Sequence, residues 1–275
     1  MEPSSFFHWN GSPEIFKIGS LAIRWYGVLF ALGFVIGYQI MDYIFKRENK
    51  PTKALESLVF YVIIGTIVGA RLGHCFFYEP DYYLKNPLEI LMVWHGGLAS
   101  HGGAIGVLLA LWLFARKNPK IKLLWLLDRI VIPTALAASF IRIGNFFNHE
   151  IIGKPTNLPW AIIFNIYRGG EIVGTTPPVH PSQLYEAIAY LLIFILLFIL
   201  YKKRIWQNEG VPFGLFFVLV FVARFLIEFT KAPQAEFEKF LPLSMGQILS
   251  IPFILAGLYF IIRGLKRTTP SESKT

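Results

Sequence analysis

Four short stretches hold the side chains able to do chemistry. RIGNFFNHE at 142–150 groups Arg142, Asn145, Asn148 and Glu150, with spacings of three that favour one helix face. ARFLIE at 223–228 sets Arg224 four residues before Glu228, and HPSQLYE at 180–186 carries His180, Gln183 and Glu186. WHGGLASHGGAIG at 94–106 surrounds His101 with glycines and Ser100. Arginine keeps its charge when buried and its planar fork matches a phosphate bidentately, so Arg142 and Arg224 suit a phosphorylated ligand. A neutral histidine in a space cleared of side chains can serve as a general base. Plainer readings stand beside these. Arg224 and Glu228 can form an ion pair along one helix face, and asparagines can cap a helix end. His101 can be a core histidine satisfied by one hydrogen bond, its glycines serving close helix approach.

No enzyme nucleophile accompanies these groups. The single cysteine, Cys75, lies in the apolar GHCFFY and reads as packing. The chain has no GxSxG elbow, no HExxH helix and no P-loop. His95 and His101 are six apart, which is not the helical i, i+4 spacing of a ligand pair, so neither a metal nor another cofactor is expected. A nucleophile, if the reaction needs one, comes with a substrate.

The elements that must position these residues are membrane spans. The 275 residues are 55% hydrophobic and only 16% charged, and mean hydropathy is +0.53. A soluble domain normally carries about 25% charged residues, so the composition describes an all-α polytopic membrane protein. Seven apolar stretches of spanning length lie near 20–44, 54–78, 97–115, 123–145, 182–201, 211–229 and 243–263, forming a single integral membrane domain over 1–275. Lys and Arg fall unevenly between them: 15 on the side of 46–53, 116–122, 202–204 and the C-terminus, 6 on the other, and five inside spans. That bias places the C-terminus in the cytoplasm and the N-terminus outside. The net charge of +9 belongs to this pattern, and no basic helix with interleaved aromatics suggests nucleic acid. The N-terminal MEPSSFFHWNGSPEIF lacks the basic-then-apolar order of a cleaved signal.

With that orientation, Arg24 and Tyr26, Arg71 and His74, His101, Arg142 and Asn145, Gln183 and Glu186, and Arg224 and Glu228 all fall toward the outer ends of their spans. Charged groups inside spans are costly and face a cavity or one another, so a polar site is expected in the outer half of the bilayer. Only Asp128 and Arg129 lie nearer the cytoplasm. The long connection 146–181, with its prolines and short β-like runs, is expected outside as a small cap.

Taken in order, RWYG (24–27), GARLGH (69–74), GGLASHGG (96–103), RIGNFFNHEIIG (142–153), HPSQLYE (180–186), ARFLIEF (223–229) and SMGQILSIP (244–252) resemble the bacterial phosphatidylglycerol–prolipoprotein diacylglyceryl transferases. The resemblance covers nearly the whole chain. It implies seven spans in the bacterial inner membrane, and two substrates besides bulk membrane lipid: phosphatidylglycerol and the lipobox cysteine of a prolipoprotein signal peptide. The implied reaction moves the diacylglyceryl group onto the thiol, making a thioether and releasing glycerol-1-phosphate. The resemblance also implies that Arg142 contacts the lipid phosphate, that His101, Asn145, Glu150, Arg224 and Tyr26 matter for activity, and that Gly153 closes the 142–153 element. Asn148, Glu186 and Glu228 join them as candidate binding residues on their position. Three departures stand out: Ile141 where glycine is frequent before the arginine, His95 where an acid is common, and Val220 where some members have tyrosine.

The expected mechanism has His101, or a carboxylate near it, remove the thiol proton while Arg142 and Arg224 stabilise the departing phosphate. Glu228 would orient Arg224, and Asn145 and Glu150 would hold the headgroup glycerol. Alternatively, stabilisation of the leaving group dominates and His101 only positions the substrate. A transporter would instead show an inverted repeat and polar groups reaching the inner side. A non-catalytic lipid-binding scaffold would bind the lipid and leave the peptide unchanged.

Overall fold

A computed structural model describes residues 6–19, 21–168, 170–205, 208–233 and 242–266. The chain forms two compact units, one from residues 1–37 with 130–275 and the other from 38–129.

Eight helices run through the described residues: α1 (Trp25–Arg47), α2 (Lys53–Phe77), the short α3 (Pro80–Lys85), α4 (Ser100–Lys117), α5 (Leu123–Phe147), α6 (Ser182–Lys202), α7 (Val211–Ile227) and α8 (Met245–Lys266). Six are long and apolar enough to cross a membrane: α1, α2, α5, α6, α8, and α7 with the 3₁₀ turn Glu228–Thr230 that prolongs it. The chain is a multi-pass membrane protein. Helices suit that setting because every backbone polar group is satisfied within the segment. The stretch expected as a third span, 97–115, is α4. It has 18 residues, opens on Ser100-His101-Gly102-Gly103 and closes on Arg116-Lys117, and these polar ends leave it less apolar than the other six.

The chain is mostly helical, as the all-α reading expects, and it also carries two small sheets, both in the first unit: the β-like runs expected in 146–181 supply two strands, and three unexpected ones precede the first span. Span one is expected to start near residue 20, but residues 21–24 are extended. Strand β2 (Glu14–Ile18) pairs antiparallel with β3 (Leu21–Arg24), and α1 begins only at Trp25. The turn between these strands needs Gly19, whose φ is +59°. The second sheet draws on distant parts of the chain. Strand β1 (Phe7–Trp9) runs parallel to β4 (Ile162–Arg168), which pairs antiparallel with β5 (Glu171–Thr175). Under the sheet lies a small core of Phe146, Ile162, Phe164 and Val179, joined by Trp9, Ile152 and Leu184. Trp9 reaches Phe146 at 4.7 Å between ring centroids. The 146–181 connection is therefore a folded structure that the N-terminal strand completes.

Within the same unit α7 and α8 pack closely, with Phe221 stacked on Phe253 at 4.4 Å. A capping box opens α8: the Ser244 amide donates to Gln247 Oε1 at 3.0 Å and the Gln247 amide to Ser244 Oγ at 3.3 Å. In the other unit α2 and α4 meet along glycines, Gly65, Gly69 and Gly73 facing Gly102 and Gly106, so that backbone lies against backbone.

Candidate active site

The end of α5 carries a chain of polar contacts. Arg142 Nη1 donates to Asn145 Oδ1 at 3.3 Å, and Asn145 Nδ2 donates to Glu150 Oε2 at 3.2 Å. Asn148 Nδ2 donates to Glu150 Oε1 at 3.4 Å, while Asn148 Oδ1 is buried without a partner. The expected clustering of these four residues is present, although only Arg142 and Asn145 reach one another as a helical i, i+3 pair. Glu150 joins from beyond the helix because the chain turns sharply there. His149 and Ile151, on either side of it, have φ of +56° and +55°, a region that costs a β-branched residue about 1–3 kcal/mol.

Several bonds hold that turn. The Glu150 amide donates to the Asn145 carbonyl at 3.0 Å, and Gln183 Nε2 donates to the Glu150 carbonyl at 2.5 Å. The Asn165 amide donates to His149 Nδ1 at 3.2 Å, which leaves the proton on Nε2, bonded to the Gly11 carbonyl at 2.8 Å. Beside the turn, Glu14, Arg24, Asn148, His149, Glu150 and Tyr167 line part of a mixed polar and apolar cavity of about 600 Å³.

Behind the chain lies a buried group of charges. Arg142 Nε sits 2.9 Å from Glu186 Oε2, and Lys231 Nζ sits 2.9 Å from Glu186 Oε1 and 3.0 Å from Glu228 Oε2. Tyr190 donates its hydroxyl to Glu186 Oε1 at 3.2 Å. Glu186 is 0% exposed, Lys231 4% and Glu228 9%. Two acids and two bases thus balance in a place where an unpaired charge would be expensive. Gly246 makes room for Glu228: a Cβ there would lie 2.5 Å from the carboxylate carbon. Arg142 spends Nε on Glu186 and Nη1 on Asn145, and Nη2 has no partner among the described residues.

The expected pairing of Glu228 with Arg224 is corrected. Glu228 begins the 3₁₀ turn that ends α7, and this tighter winding brings its carboxylate to Lys231 at i+3. Arg224 is half-buried, makes no ion pair among the described residues, and acts electrostatically on Tyr190. Tyr26 is half-buried against Gly144, where a Cβ would fall 2.8 Å from its ring, and its phenol feels the charges of Glu150 and Arg142. Gly153 is buried against the His180 carbonyl and 2.6 Å, measured from a hypothetical Cβ, from Ser182 Oγ. The Gly153 amide donates to that His180 carbonyl, and Gly153 bridges to Lys231 across a short antiparallel contact.

His101 belongs to the other unit. It stands exposed in the first turn of α4, with the rings of Phe77 and Tyr78 at 5.8 and 5.7 Å, and makes no hydrogen bond among the described residues. It is therefore not a histidine buried on a hydrogen bond.

Lys231 and Tyr190 are the members that sequence reasoning missed. Lys231 follows the last expected residue of span six and counts there as a topology charge. Its spacing of three from Glu228 was the available signal. Tyr190 lies four residues after Glu186 on the same helix face, among apolar residues that give no reason to single it out.

Residues 13–263 match the family model described as prolipoprotein diacylglyceryl transferase. The chain is 51% identical over 258 residues to the phosphatidylglycerol–prolipoprotein diacylglyceryl transferase of Tolumonas auensis, covering 94% of this chain and 97% of that protein. It is 49% identical over 268 residues to the enzyme of that name from Chloroherpeton thalassium, with 97% of each covered. It is 45% identical over 273 residues to that of Porphyromonas gingivalis, with 95% and 96% covered. The chain belongs to the prolipoprotein diacylglyceryl transferase family and is a transferase.

Proposed function

We propose that this protein transfers the diacylglyceryl group of phosphatidylglycerol to the lipobox cysteine of prolipoproteins in the bacterial inner membrane, the first step of lipoprotein maturation. The observation that carries the reading is the family match over 13–263, joined to a cationic Arg142 held between Glu186 and Asn145.

In the proposed reaction the cysteine sulfur attacks the diacylglyceryl carbon that bears the phosphate ester. The C–S bond forms as the C–O bond breaks, the electron pair leaves with glycerol-1-phosphate, and the thiol proton passes to a base. Only a few per cent of a cysteine is thiolate at neutral pH, so a base contributes about 10²–10⁴-fold. His101 is assigned that proton; a purely positioning role for it is the alternative. Arg142 and Arg224 take the charge that develops on the phosphate. Asn145, Asn148 and Glu150 hold the headgroup glycerol, supported by the polar cavity beside them. Glu186, with Lys231 and Glu228, fixes the Arg142 guanidinium, Tyr26 closes the site from α1, and Gly153 sets the path of the turn.

The same reading has the chain as one integral membrane domain with seven spans, α4 included, the N-terminus outside and 146–181 as an external cap. Basic last turns on α1, α4, α6 and α8 support that orientation.

Incubation of the purified protein with phosphatidylglycerol and a lipobox peptide tests the function by mass. A diacylglyceryl adduct on the cysteine is expected, and it is absent with Arg142→Ala. Lipid binding without an adduct would instead make the protein a scaffold.

A further inference from the structure

Arg71 has no part in the charge network described above, yet among the described residues it is the largest fully buried side chain, 2% exposed and inside α2. No carboxylate pairs with it among the described residues. A guanidinium without an acid partner in such a place must be compensated by hydrogen bonds, and here every partner is a backbone carbonyl. Nε donates to Ile90 O at 3.1 Å, Nη2 to Glu89 O, and Nη1 to Gly96 O and, at 3.3 Å, to Gly97 O. The guanidinium also lies over the Tyr83 ring, 5.0 Å from its centroid.

All four carbonyls belong to the irregular segment 86–99 that leads into α4. Gly96 and Gly97, with φ of +84° and +68°, turn their carbonyls back toward α2. Gly97 lies so close that a Cβ would be 2.5 Å from His74 and 2.9 Å from Arg71 Nη1. The Ala99 amide then donates to Ala70 O at 2.9 Å, and α4 starts at Ser100. Two residues after that anchor comes His101. With the glycine contacts of α2 and α4 beside it, the histidine has a fixed backbone and, among the described residues, no hydrogen bond of its own.

We infer that Arg71 is the positioning residue for His101, acting through the 89–97 carbonyls. The functional half of this inference rests on the proposed part of His101 in transfer. Lysine cannot substitute, because a single ammonium cannot span the pair Glu89/Ile90 and the pair Gly96/Gly97 as a planar fork does.

The test uses the full-length protein in detergent and two readouts. Modification of His101 by diethyl pyrocarbonate, followed by peptide mass spectrometry, reports its position directly. Arg71→Lys is expected to change that rate several-fold while another modified histidine, His8, keeps its own. Gly97→Ala, which displaces the same segment from the opposite side, is expected to do the same and serves if Arg71→Lys does not fold. An unchanged His101 rate in the folded variants overturns the inference. In the transfer assay Arg71→Lys is expected to lower kcat by about 10–100-fold, with KM for phosphatidylglycerol unchanged and no further loss in the Arg71→Lys, His101→Gln double variant. Losses that multiply in the double variant overturn a route through His101. Full activity of His101→Gln alone, with altered modification in Arg71→Lys, removes His101 from the chemistry and leaves Arg71 as its anchor.

Discussion

Glu186 Oε2 lies 2.9 Å from Arg142 Nε, and the other oxygen of the same carboxylate meets Lys231 Nζ at 2.9 Å. One wholly buried acid on α6 therefore holds a cation from α5 and a cation from beyond α7. Glu186→Gln keeps the shape and removes the charge that both depend on. Breaking a buried pair costs about 3–5 kcal/mol, so a lower melting temperature in detergent is expected. Transfer activity should fall by about 10²-fold or more if Arg142 is aimed by this contact. A variant with normal activity would show that Arg142 keeps its place without Glu186.

Lys231 neutralises Glu186 and Glu228 together. Lys231→Met matches its length and leaves Glu228 without its ion-pair partner, so the carboxylate is expected to take up a proton or swing away. Lys231→Arg should retain more activity than Lys231→Met, by about tenfold, an energy of about 1.4 kcal/mol. Equal losses in the two would mean that shape, not charge, decides at this position.

Gly246 and Gly153 are tight for a different reason. Alanine at 246 would press on the Glu228 carboxylate, and alanine at 153 on His180 and Ser182. Overpacking costs about 1–3 kcal/mol, and both changes should lower the melting temperature. Gly246→Ala should further reduce activity in proportion to the displacement of Glu228, and Gly246→Ala with Glu228→Gln should add little to Glu228→Gln alone. Independent effects would uncouple the two.

His149 gives a pH dependence. Burial lowers its pKa from the ordinary 6.5, the nearby His8 acts in the same direction, and the bond to the Gly11 carbonyl opposes them. The neutral ring accepts from the Asn165 amide, and protonation of Nδ1 removes that bond. The folded pKa lies below the unfolded one. The stabilisation is therefore complete above about pH 6.5 and is lost as pH falls through the folded value. The protection factor of the Asn165 amide, its exchange rate relative to the intrinsic rate at each pH, should fall over that range, and His149→Gln should flatten the response. An amide equally protected from pH 7.5 to pH 4.5 would count against this tautomer.

The helices were legible because apolar length is a strong signal, and α2, α5, α6 and α7 begin within a residue of their expected starts. The Arg142–Asn145–Glu150 cluster was legible from its composition. What escaped was decided by local geometry. EIFKIGSLAIR reads as a continuation of apolar sequence, but its two halves pair as antiparallel strands with Gly19 at the turn, so span one starts later. Glu228 four residues after Arg224 promises a helical pair, but a 3₁₀ turn sends it to Lys231. Arg71 was visible as a charge inside a span, whereas its carbonyl partners come from a segment whose path no periodicity describes.

Strand β1 lies near the N-terminus, and its partner β4 is about 155 positions further on. At about 5–20 residues per second, a ribosome takes roughly 8–30 s to travel from one to the other. During that interval Phe7 and Trp9 have no sheet to join, and four long helices, α1, α2, α4 and α5, are being made or are entering the bilayer. The sheet can close only after α5 has been delivered, so its closure is a late event that marks the completion of the preceding spans. A fusion or insertion that tethers the N-terminus away from residues 162–168 would therefore yield a chain with its helices in place but without the bonds from His8 to Asn165 and from His149 to the Gly11 carbonyl.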